Sequence, residues 1–330
     1  MLTLDEILGI VYLQLTGIGC LGNLNLLILN SFNFFTAHKV RPKNVIINHL
    51  AFSNAMVLLF RGIPTITRLW KVKCVLDRAG IKIITYMQTI SWGLSLYSTC
   101  LLSVFQAITI SPINSMWAQL KFKASKCIIP SIVLCWIFNL LLDMLTFLRY
   151  DGPKNSTVSK YGCNTGYRAL DIYNNNHIKL EILACVHDTF FACLMMFSSI
   201  HMVLILYRHK RNVNHIHSNS TSTKVSPETR ATQAILLLVA TFVLFNIFSP
   251  IFILCMFHFK FTNTWMIHTS ALLSLCYPTV NPFILINISN QIPSFCAQGY
   301  FEKLFSLPYP VRLIHIEDLL RNLARWQSRS

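Results

Sequence analysis

The amino-acid sequence predicts an all-α membrane protein, a seven-transmembrane-helix bundle, on three observations. Of 330 residues, 54% are hydrophobic and only 12% are charged, about half the roughly 25% of a soluble chain. The charges fall between seven apolar stretches, and a hydrocarbon core of about 30 Å is crossed by ~20 residues of helix. None of the stretches alternates polar with apolar residues at period two, so helices rather than barrel strands must satisfy the backbone in lipid.

Taken in order, runs free of Lys, Arg, Asp and Glu cover residues 7–38, 44–60, 83–120, 231–259 and 261–301, with Lys260 alone dividing the last two. Runs 127–148 and 182–207 each contain one carboxylate, Asp143 and Asp188. The first run follows only six residues and lacks a basic leader, so it is expected to stay as a span. Asp5 and Glu6 precede it while Lys39, Arg41 and Lys43 follow it, which puts the N-terminus outside and, after seven spans, the C-terminus inside. The expected division is an extracellular N-terminus at 1–6, one seven-helix domain at 7–289 and a cytoplasmic tail at 290–330. Inner segments then hold 16 Lys and Arg against 12 in outer ones, a small bias. In the tail, Ile316, Leu319, Leu320 and Leu323 follow amphipathic helix spacing, which suits either an interfacial helix or a disordered segment.

Of eleven cysteines only Cys74 and Cys163 fall in outer segments, where an oxidising compartment permits a disulfide between them; the alternative is two free thiols. Asn155-Ser156-Thr157 is a glycosylation acceptor on the same side, whereas the matches at Asn219 and Asn287 fall inside and are expected to be unmodified.

The formal charge of +16 is scattered between apolar runs, unlike the clustered patch of a nucleic-acid binder, so no nucleic-acid partner is expected. No His-Glu-x-x-His helix or local nucleophile and base motif is present, and no enzyme is predicted. His215 and His217 lack neighbouring ligands of metal-site spacing, so neither metal nor cofactor is assigned. A transporter or channel is the alternative from another class; it would carry inverted repeats, paired broken helices or a ladder of membrane charges.

A carboxylate within a membrane helix costs ~2.5–3.5 kcal/mol on insertion scales. Asp143 and Asp188 both fall towards the outer ends of their helices, where they suit either a ligand pocket or pairing with Arg149 or Lys179. In the third helix Tyr86, Gln88, Trp92 and Tyr97 form an aromatic and amide set. Gln88 and Trp92, four residues apart, share a face suited to a small, mostly apolar ligand. Phe248 lies two residues before Pro250 in the sixth helix, where a proline bend can pass pocket changes inward. Core packing is the competing reading of each aromatic. On the inner side, Lys121, Lys123 and Lys126 and then Arg208, Lys210, Arg211, Lys224 and Arg230 can meet anionic lipid or a protein partner.

Cys100-Leu-Leu-Ser-Val-Phe-Gln-Ala-Ile-Thr-Ile-Ser-Pro112 resembles the signature of the vomeronasal type-1 receptors. The resemblance continues in His49-Leu-Ala51, Arg61-Gly-Ile-Pro64, Leu206-Tyr-Arg-His-Lys210, Ser226-Pro-Glu-Thr-Arg-Ala-Thr232 and Tyr277-Pro-Thr-Val-Asn-Pro-Phe283, and covers residues 8 to about 289. It implies a G-protein-coupled receptor in the plasma membrane of a sensory neuron, with a small pheromone or odorant as ligand. It also implies a heterotrimeric G protein, of the Gi/Go class, as partner for the inner basic residues. A bitter-taste-type receptor shares the architecture and is the second reading within the receptor class. The chain departs from the wider rhodopsin-like pattern: it has no Asp-Arg-Tyr between Cys100 and Pro112, Asn54 stands where an aspartate is usual, and Leu285 stands where a tyrosine would follow Asn281-Pro282.

Overall fold

The chain enters its first helix through a reciprocal cap. The backbone N–H of Thr3 donates to Glu6 Oε2 at 2.8 Å, and that of Glu6 donates to Thr3 Oγ1 at 3.4 Å, satisfying donors that no preceding turn can serve. The structure, a computed structural model, describes residues 3–37, 42–72, 78–111, 116–149, 175–216, 236–245 and 264–288. Within these, all regular structure is helical: α1 (Leu4–Ala37), α2 (Pro42–Leu69), α3 (Arg78–Ile110), α4 (Met116–Arg149), α5 (Asn175–Ile216), α6 (Leu236–Phe245) and α7 (Thr264–Ile288). Six of the described helices are long and apolar enough to cross a membrane, and α6 is a shorter apolar piece of the run expected at 231–259. The seven-helix expectation holds.

Helix ends differ from the charge-free runs. The second helix does not stop at Phe60 but passes Arg61 and continues to Leu69, and α3 starts at Arg78, five residues before its run. A charge is costly in hydrocarbon yet compatible with helix, so the runs mark depth in the membrane and the helices overshoot it. α2 accommodates Pro64 through one π-helical turn, Leu58–Gly62. Proline lacks the N–H that would bond Phe60 and its ring crowds that carbonyl; the wider turn relieves the clash, and the Thr65 hydroxyl donates to the Arg61 carbonyl at 2.8 Å. The helix ends in a Schellman pair, Val72 N–H to Thr67 O at 2.9 Å and Lys71 N–H to Arg68 O at 3.1 Å, with Lys71 at φ 53°.

Named contacts fix the topology. α2 runs antiparallel to α3, since His49 meets Ser98 and Asn54 meets Ser95. α4 is antiparallel to α3 through Tyr86 with Leu140 and Tyr97 with Ser131, whereas α5 is parallel to α3 through Trp92 with Asp188 and Tyr97 with Phe191. α3 is therefore the central post, touching α2, α4 and α5. Phe242 of α6 packs edge-on against Tyr277 of α7, ring centres 4.9 Å apart.

The core is apolar but threaded by amides and hydroxyls that must be paired away from water. Pro282 leaves the Pro278 carbonyl without its helical donor, and the Asn23 amide of α1 supplies one at 2.9 Å while also bonding Gly19 O at 2.8 Å. Gly22 makes that approach possible, because a Cβ there would come 2.9 Å from Pro282 Cγ. Asn54 accepts the Ser95 hydroxyl, Thr99 shares a hydrogen with Tyr277 Oη, and Asn281 donates to the same phenol at 3.4 Å. Residues Met1–Ile288 form one compact unit.

Candidate functional site

Three of the five residues expected to meet a ligand converge at the end of the bundle where α1 begins. α3 turns a separate face to each neighbour: Tyr86, Ile90, Gly93 and Tyr97 recur at helical spacing towards α4, while Trp92 points to α5. The indole N–H of Trp92 donates to Asp188 Oδ2 at 3.1 Å, and Asp188 Oδ1 pairs with His187 Nδ1 at 3.2 Å. Asp143 of α4 has the Thr89 hydroxyl beside it and lies within electrostatic reach of His187 and Asp188. Gln88 is half-buried one turn before Trp92.

Aromatic rings wall this group. His187 stacks on Phe138, centres 5.8 Å apart and planes 21° apart, and meets Phe191 edge-on at 4.8 Å; Phe191 in turn meets Tyr97 at 5.8 Å. The side chains of His187 and Asp188 remain 17% and 28% exposed, so the carboxylate is reachable rather than sealed in protein. Tyr86 and Tyr97 do not join the Trp92 face: their hydroxyls donate to Leu140 O at 3.0 Å and Ser131 O at 3.1 Å and clamp α3 to α4. Between those clamps Asn139 Oδ1 lies so close to Gly93 that no Cβ would fit.

His187 was not among the expected residues, although its place next to Asp188 in the sequence is a usable signal: a carboxylate in an apolar run needs a partner. His49 was likewise missed as a bridge. The Trp136 indole donates to His49 Nε2 at 2.9 Å, so the ring's proton sits on Nδ1, which donates to Ser98 Oγ at 2.7 Å. This joins α4, α2 and α3 just inward of the site.

At the opposite end Lys121 is half-buried, and Lys123 and Arg208 are exposed, on the start of α4 and the end of α5. Lys210 and Arg211 continue α5, their side chains outside the described residues. Phe248, Cys74, Cys163, Asn155 and Arg230 also lie outside the described residues. The six cysteines that are described, Cys20, Cys100, Cys127, Cys135, Cys193 and Cys276, are free thiols.

Fold and site together define a seven-helix membrane protein with polar and aromatic groups gathered at one end and bases at the other. The model of the vomeronasal organ pheromone receptor family matches residues 6–298. Human vomeronasal type-1 receptor 4 is 36% identical over 287 residues, 86% of this chain and 95% of that protein. Human vomeronasal type-1 receptor 3 is 38% identical over 294 residues, 88% and 93% of the two chains. The Danio rerio olfactory receptor class A-like protein 1 is 27% identical over 299 residues, 89% and 94%. The chain belongs to the vomeronasal type-1 receptor family. It is thus a multi-pass membrane protein of a chemosensory, G-protein-coupled receptor family, and that family is one of receptors rather than of enzymes.

Proposed function

We propose that this receptor sits in the plasma membrane with its N-terminus outside, binds a small pheromone or odorant among Trp92, Asp143 and Asp188, and activates a heterotrimeric G protein of the Gi/Go class. Gln88 and Phe248 complete the ligand contacts, a Cys74–Cys163 disulfide and a glycan on Asn155 mark the outer face, and residues 290–330 form the cytoplasmic tail. Lys121, Lys123, Arg208, Lys210, Arg211 and Arg230 form the G-protein contact.

The observation that carries this reading is the hydrogen bond from Trp92 to Asp188 between α3 and α5, both members lying inside apolar spans. A carboxylate within an apolar span carries an insertion cost, which favours a functional role over a stabilising one. Trp92 also stands on the helix that holds the core together: three to seven residues further on, Ser95, Ser98 and Thr99 bond Asn54, His49 and Tyr277. A ligand that displaces the indole shifts α3 against α2 and α7, and so moves the helix ends that face the basic cluster.

The test is a G-protein reporter in cells expressing the full chain, challenged with fractionated urine and volatile odorants. Replacing Trp92→Ala should weaken the response about tenfold or more, the effect of losing one charge-assisted hydrogen bond and its ring contacts. Surface staining of an N-terminal tag on intact cells should not change. A ligand-gated current that persists without G protein would refute the proposal.

A further inference from the structure

Two adjacent serines of α5 meet different fates. Ser198 donates its hydroxyl to the Leu194 carbonyl at 2.9 Å, the usual resort of a serine inside a membrane helix. The Ser199 hydroxyl is closed to solvent and, among the described residues, makes no hydrogen bond, which carries a desolvation cost in apolar surroundings. It borders a cavity of about 530 Å³ between α5 and α6, lined by Met196 and Ser199 on one side and by Leu236, Val239 and Val243 on the other. That volume falls among those of sites that hold drug-sized molecules. Among the described residues that line it, Ser199 alone is polar and none is charged. We propose that this cavity, which shares no residue with the Trp92 and Asp188 group, is a second binding site for a membrane-dissolved molecule of the sterol class: a compact apolar body with one hydroxyl.

The chemistry of the walls selects that occupant over three others. A water needs roughly two to four polar partners and finds one. An acyl chain fills the space but leaves the hydroxyl unpaired. A charged ligand finds no counter-charge. The rim gives the route of entry: Met196 and Leu244 are 44% and 54% exposed and stand on apolar helices, so the mouth opens onto acyl chains. The polar end of the cavity is also the correct one for an amphiphile. Ser199 lies six residues, about 9 Å, from the end of its span at Ile205, and nearer than Met196 to Arg208 at the basic end of the bundle. α6 lines the cavity from Leu236 to Leu244, about 12 Å along its axis. A sterol seated here turns its hydroxyl towards that membrane surface and its rings towards the middle of the bilayer, the orientation it already has in the leaflet.

The probe is a photoreactive cholesterol that keeps its hydroxyl, added to the full-length receptor in phosphatidylcholine nanodiscs, with labelled peptides mapped by mass spectrometry. Labelling should concentrate on residues 196–199 and 236–244. Excess cholesterol should compete for it at least about threefold better than cholestane, the same ring system without the hydroxyl. Ser199→Ala should erase that preference, weakening competition by cholesterol about threefold to tenfold and leaving cholestane unchanged. Ala240→Phe, which adds bulk at the mouth, should abolish labelling there, and Trp92→Ala should leave it intact. A further readout needs no sterol: in sterol-free nanodiscs Ser199→Ala should hold or raise the apparent Tm, because it removes an unpaired hydroxyl. Labelling spread evenly over the lipid-facing helices, equal competition by cholestane, or an unchanged preference in Ser199→Ala overturns the proposal. So does a fall in the sterol-free Tm of Ser199→Ala, since the hydroxyl would then have a partner within the chain. Loss of labelling in Trp92→Ala overturns it as well, by assigning the sterol to the other site.

Discussion

The α1, α2, α3 and α7 side of the bundle and the α4 and α5 side treat polar groups in opposite ways. On the first side, several buried amides and hydroxyls reach across helices, Asn23 to Pro278, Asn54 to Ser95 and Thr99 to Tyr277, while other buried atoms there, Asn23 Oδ1 and Asn54 Nδ2 among them, make no hydrogen bond. In α3 and α7, 61% of the apolar span is buried against protein; in α4 and α5 the share is 17%. The thinly covered side nonetheless carries Asp143, His187 and Asp188, the groups that are hardest to keep in a membrane. Hydrogen bonds that join buried helices hold them in register, whereas carboxylates on lightly packed helices have room to change partners. The comparison separates a frame from the proposed sensor, with α3 belonging to both.

The largest effect should come from jamming the seam between the two sides. Gly93 lies where Asn139 Oδ1 leaves no space for a Cβ, and Asn139 is itself held by its amide on Cys135 O at 2.9 Å. Gly93→Val overpacks that contact and should destabilise the receptor by about 1–3 kcal/mol, read as a lower apparent Tm in detergent and reduced surface staining. Gly17, where an added Cβ would meet nothing within 4 Å, is the control: Gly17→Ala should be neutral or slightly stabilising, since alanine favours helix by roughly 0.5–1 kcal/mol. Equal losses at both positions would mean that α3 and α4 are not in contact at Gly93.

How much of this was legible beforehand depends on the range over which each signal acts. The helices follow from local composition, but their ends do not: Arg61 and Lys82 bound an apolar run without ending a helix. Asp143 and Asp188 could be picked out because an aspartate in an apolar run is conspicuous and helix direction sets its depth, and Trp92 because it shares a helical face with Gln88. His187 needed only the further step of asking what shields Asp188. The bridge from Trp136 to His49 joins residues 87 apart, and Asn23 reaches Pro278 across 255. Nothing local reveals such pairs, though Pro282 announces that a carbonyl one turn back must find another donor. The π-turn before Pro64 belongs to the same category, a local demand whose solution only the fold supplies.

A moderate effect is expected from cutting one strut of the frame. Tyr277 is fully buried, and its phenol serves both Thr99 and Asn281; Tyr86 donates its phenol to the Leu140 carbonyl at a more exposed position. Hydrogen bonds between membrane helices are worth about 0.6 kcal/mol on average and at most about 1.7. Tyr277→Phe should fall in the upper part of that range and Tyr86→Phe near the mean, both read by thermal unfolding. Because Tyr277 ties α3 to α7, its loss should also alter basal G-protein signalling while leaving ligand affinity nearly unchanged. If Tyr86→Phe proves the more damaging, the division into frame and sensor is drawn in the wrong place.

The smallest effect sharpens the comparison most. Phe197 on α5 is 72% exposed within a membrane span, so its ring faces acyl chains in both the folded bundle and a separated, inserted helix. Replacing one apolar side chain by another there changes little that differs between those states. Phe197→Leu should therefore shift stability by less than about 0.5 kcal/mol, whereas Met195→Ala, two residues earlier at a fully buried position, should cost about 2–5 kcal/mol. Alternation of such opposite outcomes along one helix is what a single buried stripe produces. A loss at Phe197 that rivals Met195 would require a second surface against α5, and the helix assigned to the pliable side would then be as tightly held as the frame.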